Sequence, residues 1–403
     1  MRNRWFIALA AIGLHISIGS VYAWSVLTRP IMAAMGFTLS QTTWTFSLAI
    51  LMLGLSAGFL GSFAEKIGPK KSGLIAMLFW VTGLLGTAYA LSIHNLTLLY
   101  LFYGIIGGIG LGIGYITPVS TLVKYFPNRP GFATGLAIMG FGFASLIAGP
   151  LMQYLVTQVG LVDTFIILGV IYLVIMGASS LYLKAPQPKH STRTSKDRST
   201  MYVHTHGMLA NDAMKTWQFG ALWWVFFINI TCGIGLLSLA SPMAQEAIGM
   251  TPTAAASLVG IIGIFNGGGR IAWSTISDYL GRAQTYILFF IIEIVAFYLL
   301  AQTNSALTFQ ILILLIITCY GGGFSCMPAY LADLYGIRQL STIHGRILTA
   351  WGLAGIAGPM LVSYFHEAGY GYTTALECFA ALFVLNTIIA IVLKLYGKRE
   401  LHN

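Results

Sequence analysis

Apolar residues dominate the chain in runs of about 20, the length a helix needs to cross a ~30 Å hydrocarbon core. The runs fall near residues 5–27, 41–63, 72–92, 97–123, 131–156, 162–183, 218–242, 253–276, 284–302, 307–332, 344–365 and 374–395, and most charged residues stand in the breaks between them. Twelve membrane-crossing helices are predicted, and with them an all-α membrane protein. The first run has no small-residue cleavage site behind a short apolar core, and "SVYAWSVLTRP" at residues 20–30 carries it on to full spanning length. It reads as an uncleaved helix rather than a signal peptide.

Composition agrees with the pattern. Of 403 residues 57% are hydrophobic and 8% charged, against about 25% charged in soluble domains, so the chain could not cover a water-facing surface. It is expected in the cell membrane as a multi-pass protein, the inner membrane if its source is Gram-negative. Charge placement then orients it. With the N-terminus inside, 19 of the 21 Lys and Arg fall at cytoplasmic ends of spans, and both termini are cytoplasmic. The exceptions are Arg29, in the first outer loop, and Arg270, inside the eighth span. The net charge of +10 is thereby absorbed as a topology signal with a supporting role at anionic lipid, and a nucleic-acid partner has nothing left to explain. Cys232, Cys319, Cys326 and Cys378 lie within or at the edge of spans without metal or disulfide spacing and read as packing residues.

One long polar segment, residues 184–217, divides the chain. It reads as a cytoplasmic linker between six-helix bundles at 1–183 and 218–403; its His190, His204 and His206 are irregularly spaced, without acidic or cysteine partners, and suit a solvated linker better than a metal site. The two halves repeat each other. "GSFAEKIGPKK" after the second span and "STISDYLGRA" after the eighth keep acid and glycine in the same spacing, Glu65 and Gly68 against Asp278 and Gly281, 213 residues apart. "LIAGPL" at 146–151 returns as "GIAGPM" at 355–360. A duplicated six-helix unit is what alternating access by two rocking bundles requires.

The first of these loops resembles the signature of the major facilitator superfamily: a glycine, an acid, a base, a second glycine and a basic cluster. In that family its charges pair across the cytoplasmic face to hold one gated state, a role the resemblance gives to Glu65, Lys66, Asp278 and Arg282. Four further stretches are similar to the oxalate/formate antiporter branch and its monocarboxylate-carrying relatives. They are "NRWFIALA…GSVYAWSV" in the first span, "KYFPNRPGFATGLAIMGFG" leading into the fifth, "TWQFGALWWVFF" opening the seventh and "FNGGGRIAWSTISDYLGR" across the eighth. The resemblance implies two six-helix bundles around a central cavity, and small organic anions as substrates.

An arginine inside a bilayer costs several kcal/mol unless it faces a cavity or a partner. Arg270 stands eight residues before Asp278, about 12 Å from the cytoplasmic end of its helix; snorkelling to the headgroups or pairing with Asp278 is the structural alternative. The family places an anion-binding arginine here, and a guanidinium can hold a carboxylate through two parallel hydrogen bonds without ever losing its charge. Gly267, Gly268 and Gly269 before it allow a helix or a ligand to approach the backbone. The resemblance adds Tyr22, Tyr115, Tyr320, Phe324 and Trp351 as cavity-lining residues. At Trp351 the oxalate-carrying members place a lysine, so this chain has one cation where they have two.

His15, two turns before Tyr22, could carry a proton in a symport cycle or could sit neutral against a backbone carbonyl. Glu293, in a span peripheral to the cavity, suits a protonated or packing role. The glycine-rich "GIIGGIGLGIGYITP" at 104–118 lacks the strand and lysine of a phosphate loop and reads as close helix packing. No catalytic triad, cofactor motif or metal-ligand cluster stands out. The chain is expected to be a monomeric secondary transporter of a small monocarboxylate such as formate, lactate or pyruvate. The alternatives are an oxalate/formate-type exchanger and a membrane ligand sensor without net flux.

Overall fold

In the computed structural model, residues 3–126, 130–185, 207–336 and 339–396 are described. The linker residues Lys189 to His206, with the three histidines singled out in the sequence, lie outside them. Among the described residues twelve long helices carry the fold. α1 (Arg4–Gly19) starts at Asn3, whose side chain accepts the Trp5 N–H, and runs through a single 3₁₀ turn, Ser20–Ala23, into the helix Ser25–Met35. α2 (Leu39–Ile67) opens with a capping box in which Thr38 and Gln41 satisfy each other's backbone N–H groups. α3 (Pro69–Ser92) follows, then α4 (Gly108–Tyr125), reached through a π-helical turn at Tyr100–Gly107. α5 (Pro130–Val159) and α6 (Leu161–Tyr182) complete the N-terminal half.

The C-terminal half repeats the plan with α7 (Trp217–Ser238), continued by Ala240–Ile248, then α8 (Pro252–Leu280), α9 (Arg282–Gln302), α10 (Ala306–Tyr335), α11 (Thr349–Phe365) and α12 (Gly371–Tyr396). The last two belong to one apolar stretch, Thr342–Tyr396, broken where Gly369 and Gly371 take φ of 85° and 69°. Among the described residues eleven helical stretches are long and apolar enough to cross a membrane, and the break in the last divides it into two.

The internal repeat is visible in the backbone. Gly68, between α2 and α3, and Gly281, between α8 and α9, have φ of 83° and 90°, a region that side chains rarely adopt. Gly36 and Gly249, which end the short helices after α1 and α7, form a second pair with left-handed φ at the same separation. Pro150 in α5 and Pro359 in α11 stand at the matched "AGP" positions.

Apolar side chains fill the interior and also cover the outer surface. Phe59, Leu78, Val174 and Ile388 are large, apolar and more than half exposed, as lipid-facing positions are, while His15, Asn229, Glu293 and Asn386 are fully buried. The halves meet where α5 packs on α8 and α2 on α11. Small residues allow this: a Cβ on Gly142 would come within 3.0 Å of the Gly267 backbone. On the face opposite the α2–α3 and α8–α9 turns the halves are also latched by polar groups. Glu367, in the turn after α11, accepts from the Ser40 N–H at 2.7 Å and from its hydroxyl at 2.6 Å, at the N-terminus of α2. Partial burial pushes the other way, yet these hydrogen bonds hold the Glu367 carboxyl below its ordinary range. Arg29 reaches Gln245 at 3.1 Å and Glu246 at 3.8 Å.

Candidate functional site

Arg270 lies midway between the halves, 2% exposed, on the face of α8 that looks toward α1, α4 and α10. Its Nε donates to Asn266 Oδ1, one turn earlier, at 3.2 Å. Because a guanidinium only donates, this contact also fixes which end of the Asn266 amide is oxygen. Its Cζ sits 5.1 Å from the centre of the Phe324 ring, a cation–π arrangement, and the Tyr22 and Tyr115 hydroxyls interact with the guanidinium. The guanidinium keeps an unspent donor: Nη1 is buried without a partner, as are Asn266 Nδ2 and Trp351 Nε1. An ion pair with Asp278 is absent among the described residues, and that acid is committed elsewhere.

The six residues expected in the cavity come together. The Tyr22 and Tyr320 hydroxyls share a hydrogen bond of 2.9 Å across the two halves. Trp351 packs edge-on against Tyr115 at 5.2 Å and Phe324 at 4.9 Å, and Phe324 against Tyr320 at 5.3 Å. Each is at most 3% exposed, so the rings close over the arginine in this conformation and must part to admit a ligand. Trp351, where oxalate carriers place a lysine, brings an apolar ring and an indole N–H that can donate.

Two residues of this cluster escaped the sequence reading although both lie in motifs it used. Phe141 stands edge-on to Tyr22 at 4.9 Å, Tyr115 at 5.6 Å and Trp351 at 6.1 Å, and Asn266 orients Arg270. The i,i+4 spacing of Asn266 and Arg270 was the available signal. The glycine triplet divides its work: Gly267 faces Phe143, Gly269 faces the α10 backbone at Thr318, and Gly268 has nothing within 4 Å.

His15 is fully buried beside this cluster, its ring stacked on Tyr115 at 5.4 Å. Both ring nitrogens meet backbone carbonyls, Nδ1 that of Ala137 and Nε2 that of Tyr115 at 2.9 Å. Glu293 on α9 lies behind the C-terminal wall, where the Asn229 amide donates to it at 3.3 Å. Among the loop charges, Arg282 holds Asp278 at 2.5 Å and reaches Asp333 of α10 at 3.6 Å. These pairs tie α8, α9 and α10 within one half, the Asp278–Arg282 pair by i,i+4 spacing. Lys66 is exposed, and the Glu65 side chain lies outside what is described. The four cysteines are free thiols, and the described residues hold no cluster of metal-ligating side chains.

A family model of the Major Facilitator Superfamily matches residues 6–359, and again 222–402. The chain belongs to that superfamily. Such transporters are multi-pass membrane proteins. Among relatives of this facilitator, the MFS-type transporter YhjX of Escherichia coli (strain K12) is 29% identical over 88% of this chain and 86% of its own length. The oxalate:formate antiporter of Oxalobacter formigenes is 26% identical over 93% and 87%. The apicoplast pyruvate carrier 1 of Toxoplasma gondii is 21% identical over 86% and 81%. In solved structures the fold matches an inward-facing, unoccupied bacterial homologue of the lysosomal transporter Spinster, with a TM-score of 0.76, 13% identity and 97% of each chain covered.

Proposed function

We propose that this facilitator carries small monocarboxylates by alternating access, holding the carboxylate at Arg270. The observation that carries the reading is the buried Nη1 of Arg270, a permanent cation with a donor left over, closed in by aromatic rings that exclude water. The kinship with a pyruvate carrier supports the substrate class. The Tyr22 and Tyr320 hydroxyls, one from each half, part as the chamber opens and become free to bond the second carboxylate oxygen. In this reading both termini and the 184–217 linker face the cytoplasm, and the bundles at 1–183 and 218–403 rock about the site as a monomer.

The kinship with an oxalate:formate antiporter favours dicarboxylate exchange as a second reading. Charge counting separates the two. A dianion beside this one permanent cation keeps its second carboxylate uncompensated unless a neighbouring group takes up a proton, and a buried unpaired charge costs several kcal/mol, a preference for monoanions of about 100-fold where no such proton is taken up. Proteoliposomes loaded with unlabelled substrate test this by uptake of labelled formate, lactate and pyruvate, with unlabelled formate, acetate, lactate, pyruvate and oxalate as competitors. Monoanion uptake with weak oxalate competition is expected. Equal competition by oxalate would replace the monocarboxylate reading by the exchanger, and binding without flux would point to a sensor.

A further inference from the structure

Both nitrogens of the His15 ring face oxygens that can only accept. The Ala137 carbonyl on α5 meets Nδ1 and the Tyr115 carbonyl on α4 meets Nε2. Both oxygens belong to helix backbones and cannot rotate away as a side-chain amide could. A neutral imidazole has one N–H, so it can satisfy one carbonyl and turns a lone pair on the other; an imidazolium donates to both. The cradle therefore fits the charged ring better than the neutral one.

Other groups oppose that charge. The ring is fully buried, and the groups around it are few. Tyr115 of α4 stacks on it and Phe141 of α5 meets it edge-on at 6.1 Å, Tyr22 lies two turns along its own helix, α6 presents Ser179 beside Gly13, and from the C-terminal half the Arg270 guanidinium repels a second cation. None of these neighbours is an anion. A carboxylate at Arg270 would be one, and it would change the balance from repulsion between two cations to an anion shared by both.

We propose that His15 is the proton-binding group of a symport cycle, taking up a proton when a carboxylate binds at Arg270 and releasing it when the carboxylate leaves. The proposal rests on the monocarboxylate reading above and adds the coupling ion to it. By linkage, the carboxylate strengthens proton binding by the same factor as the proton strengthens carboxylate binding. One monoanion and one proton then cross together with no net charge. Exchange of one bound anion for another leaves His15 protonated throughout and needs no proton flux.

The test uses the purified full-length chain, with lactate and pyruvate as probes. In detergent, a pH indicator counts protons taken up as each probe binds; the wild type is expected to take up about one per carboxylate and the His15→Gln variant none. In liposomes with an alkaline interior, His15→Gln should lose proton-driven accumulation by at least ~10-fold more than it loses counterflow at equal pH. A His15→Gln protein that accumulates substrate like the wild type, or still takes up a proton on binding, overturns the proposal. Should that variant fail to fold, the wild-type count decides: zero protons per bound carboxylate excludes His15 as the coupling site even while counterflow upholds the carrier. A wild type that neither binds nor exchanges either probe removes the monocarboxylate reading, and this proposal with it.

Discussion

The two walls of the chamber are built from the same duplicated plan and carry opposite chemistry. The N-terminal wall offers His15, Tyr22, Tyr115 and Phe141, rings with hydroxyls and one titratable imidazole but no permanent charge. The C-terminal wall offers Arg270, Asn266, Tyr320, Phe324 and Trp351, with the one fixed cation and three unpaired donors. Repetition preserved the scaffold, as the glycine pairs Gly68 with Gly281 and Gly36 with Gly249 show, and left the inward-facing side chains to diverge. Such asymmetry suits a carrier. A ligand fixed to one half by an ion pair can be released by the other half through loss of weaker hydrogen bonds, so each half moves without breaking the strongest contact.

Removing the fixed cation's geometry should break the comparison most completely. Arg270→Lys keeps the charge and loses the planar fork, and it is expected to reduce monocarboxylate uptake about 100-fold or more while the protein still elutes as a folded species. Near-normal uptake would show that charge alone, without orientation, distinguishes the C-terminal wall. The hydroxyl pair that joins the walls comes next. Tyr320→Phe deletes one partner of the 2.9 Å bond and should weaken substrate affinity by roughly 2- to 10-fold, the range of one hydrogen bond. No change would place the Tyr22–Tyr320 contact outside substrate binding.

Asp278→Ala sharpens the contrast between chamber and loop. Its carboxylate ties Arg282 at the end of α8, away from the rings, so turnover should fall several-fold with affinity nearly unchanged; the reverse pattern would bring the loop into the binding site. The smallest effect is expected at Glu367. Its folded carboxyl titrates below the ordinary value near 4.5, so the latch to Ser40 is fully present above that pH and is lost as pH falls through the lower folded value. Glu367→Gln should mimic the acid state at neutral pH and change transport by no more than a few-fold, because the group is exposed. A pH profile in which wild type and variant still differ below that range would contradict the assignment.

Much of this was legible in the chain. Apolar runs of bilayer length fixed the number of crossings because unpaired backbone groups are not tolerated in hydrocarbon, leaving helices as the solution. The separation of Glu65 and Gly68 from Asp278 and Gly281 exposed the duplication, and an arginine inside an apolar run marked a candidate site because such a residue is costly to keep there without a partner or a cavity. The break of α1 into a 3₁₀ turn at Ser20–Ala23 and the π-helical turn before α4 were not legible, since no proline stands at either turn and the turns reflect how neighbouring helices fit.

By itself, then, the sequence determined the helical crossings, the duplication and the residue bearing the charge, all set by one-dimensional spacing and by the solvent each segment meets. Tertiary structure decided which rings meet that charge: that Phe141 joins them, that Asn266 turns the guanidinium, that Arg282 pairs within its own half, and that both His15 nitrogens rest against carbonyls of α4 and α5. Tyr22 and Tyr320 are nearly three hundred residues apart, and their hydroxyls stand 2.9 Å from each other only because two bundles close face to face. Spacing along one helix fixes a side chain's direction, whereas contact between helices depends on packing geometry that no local pattern encodes.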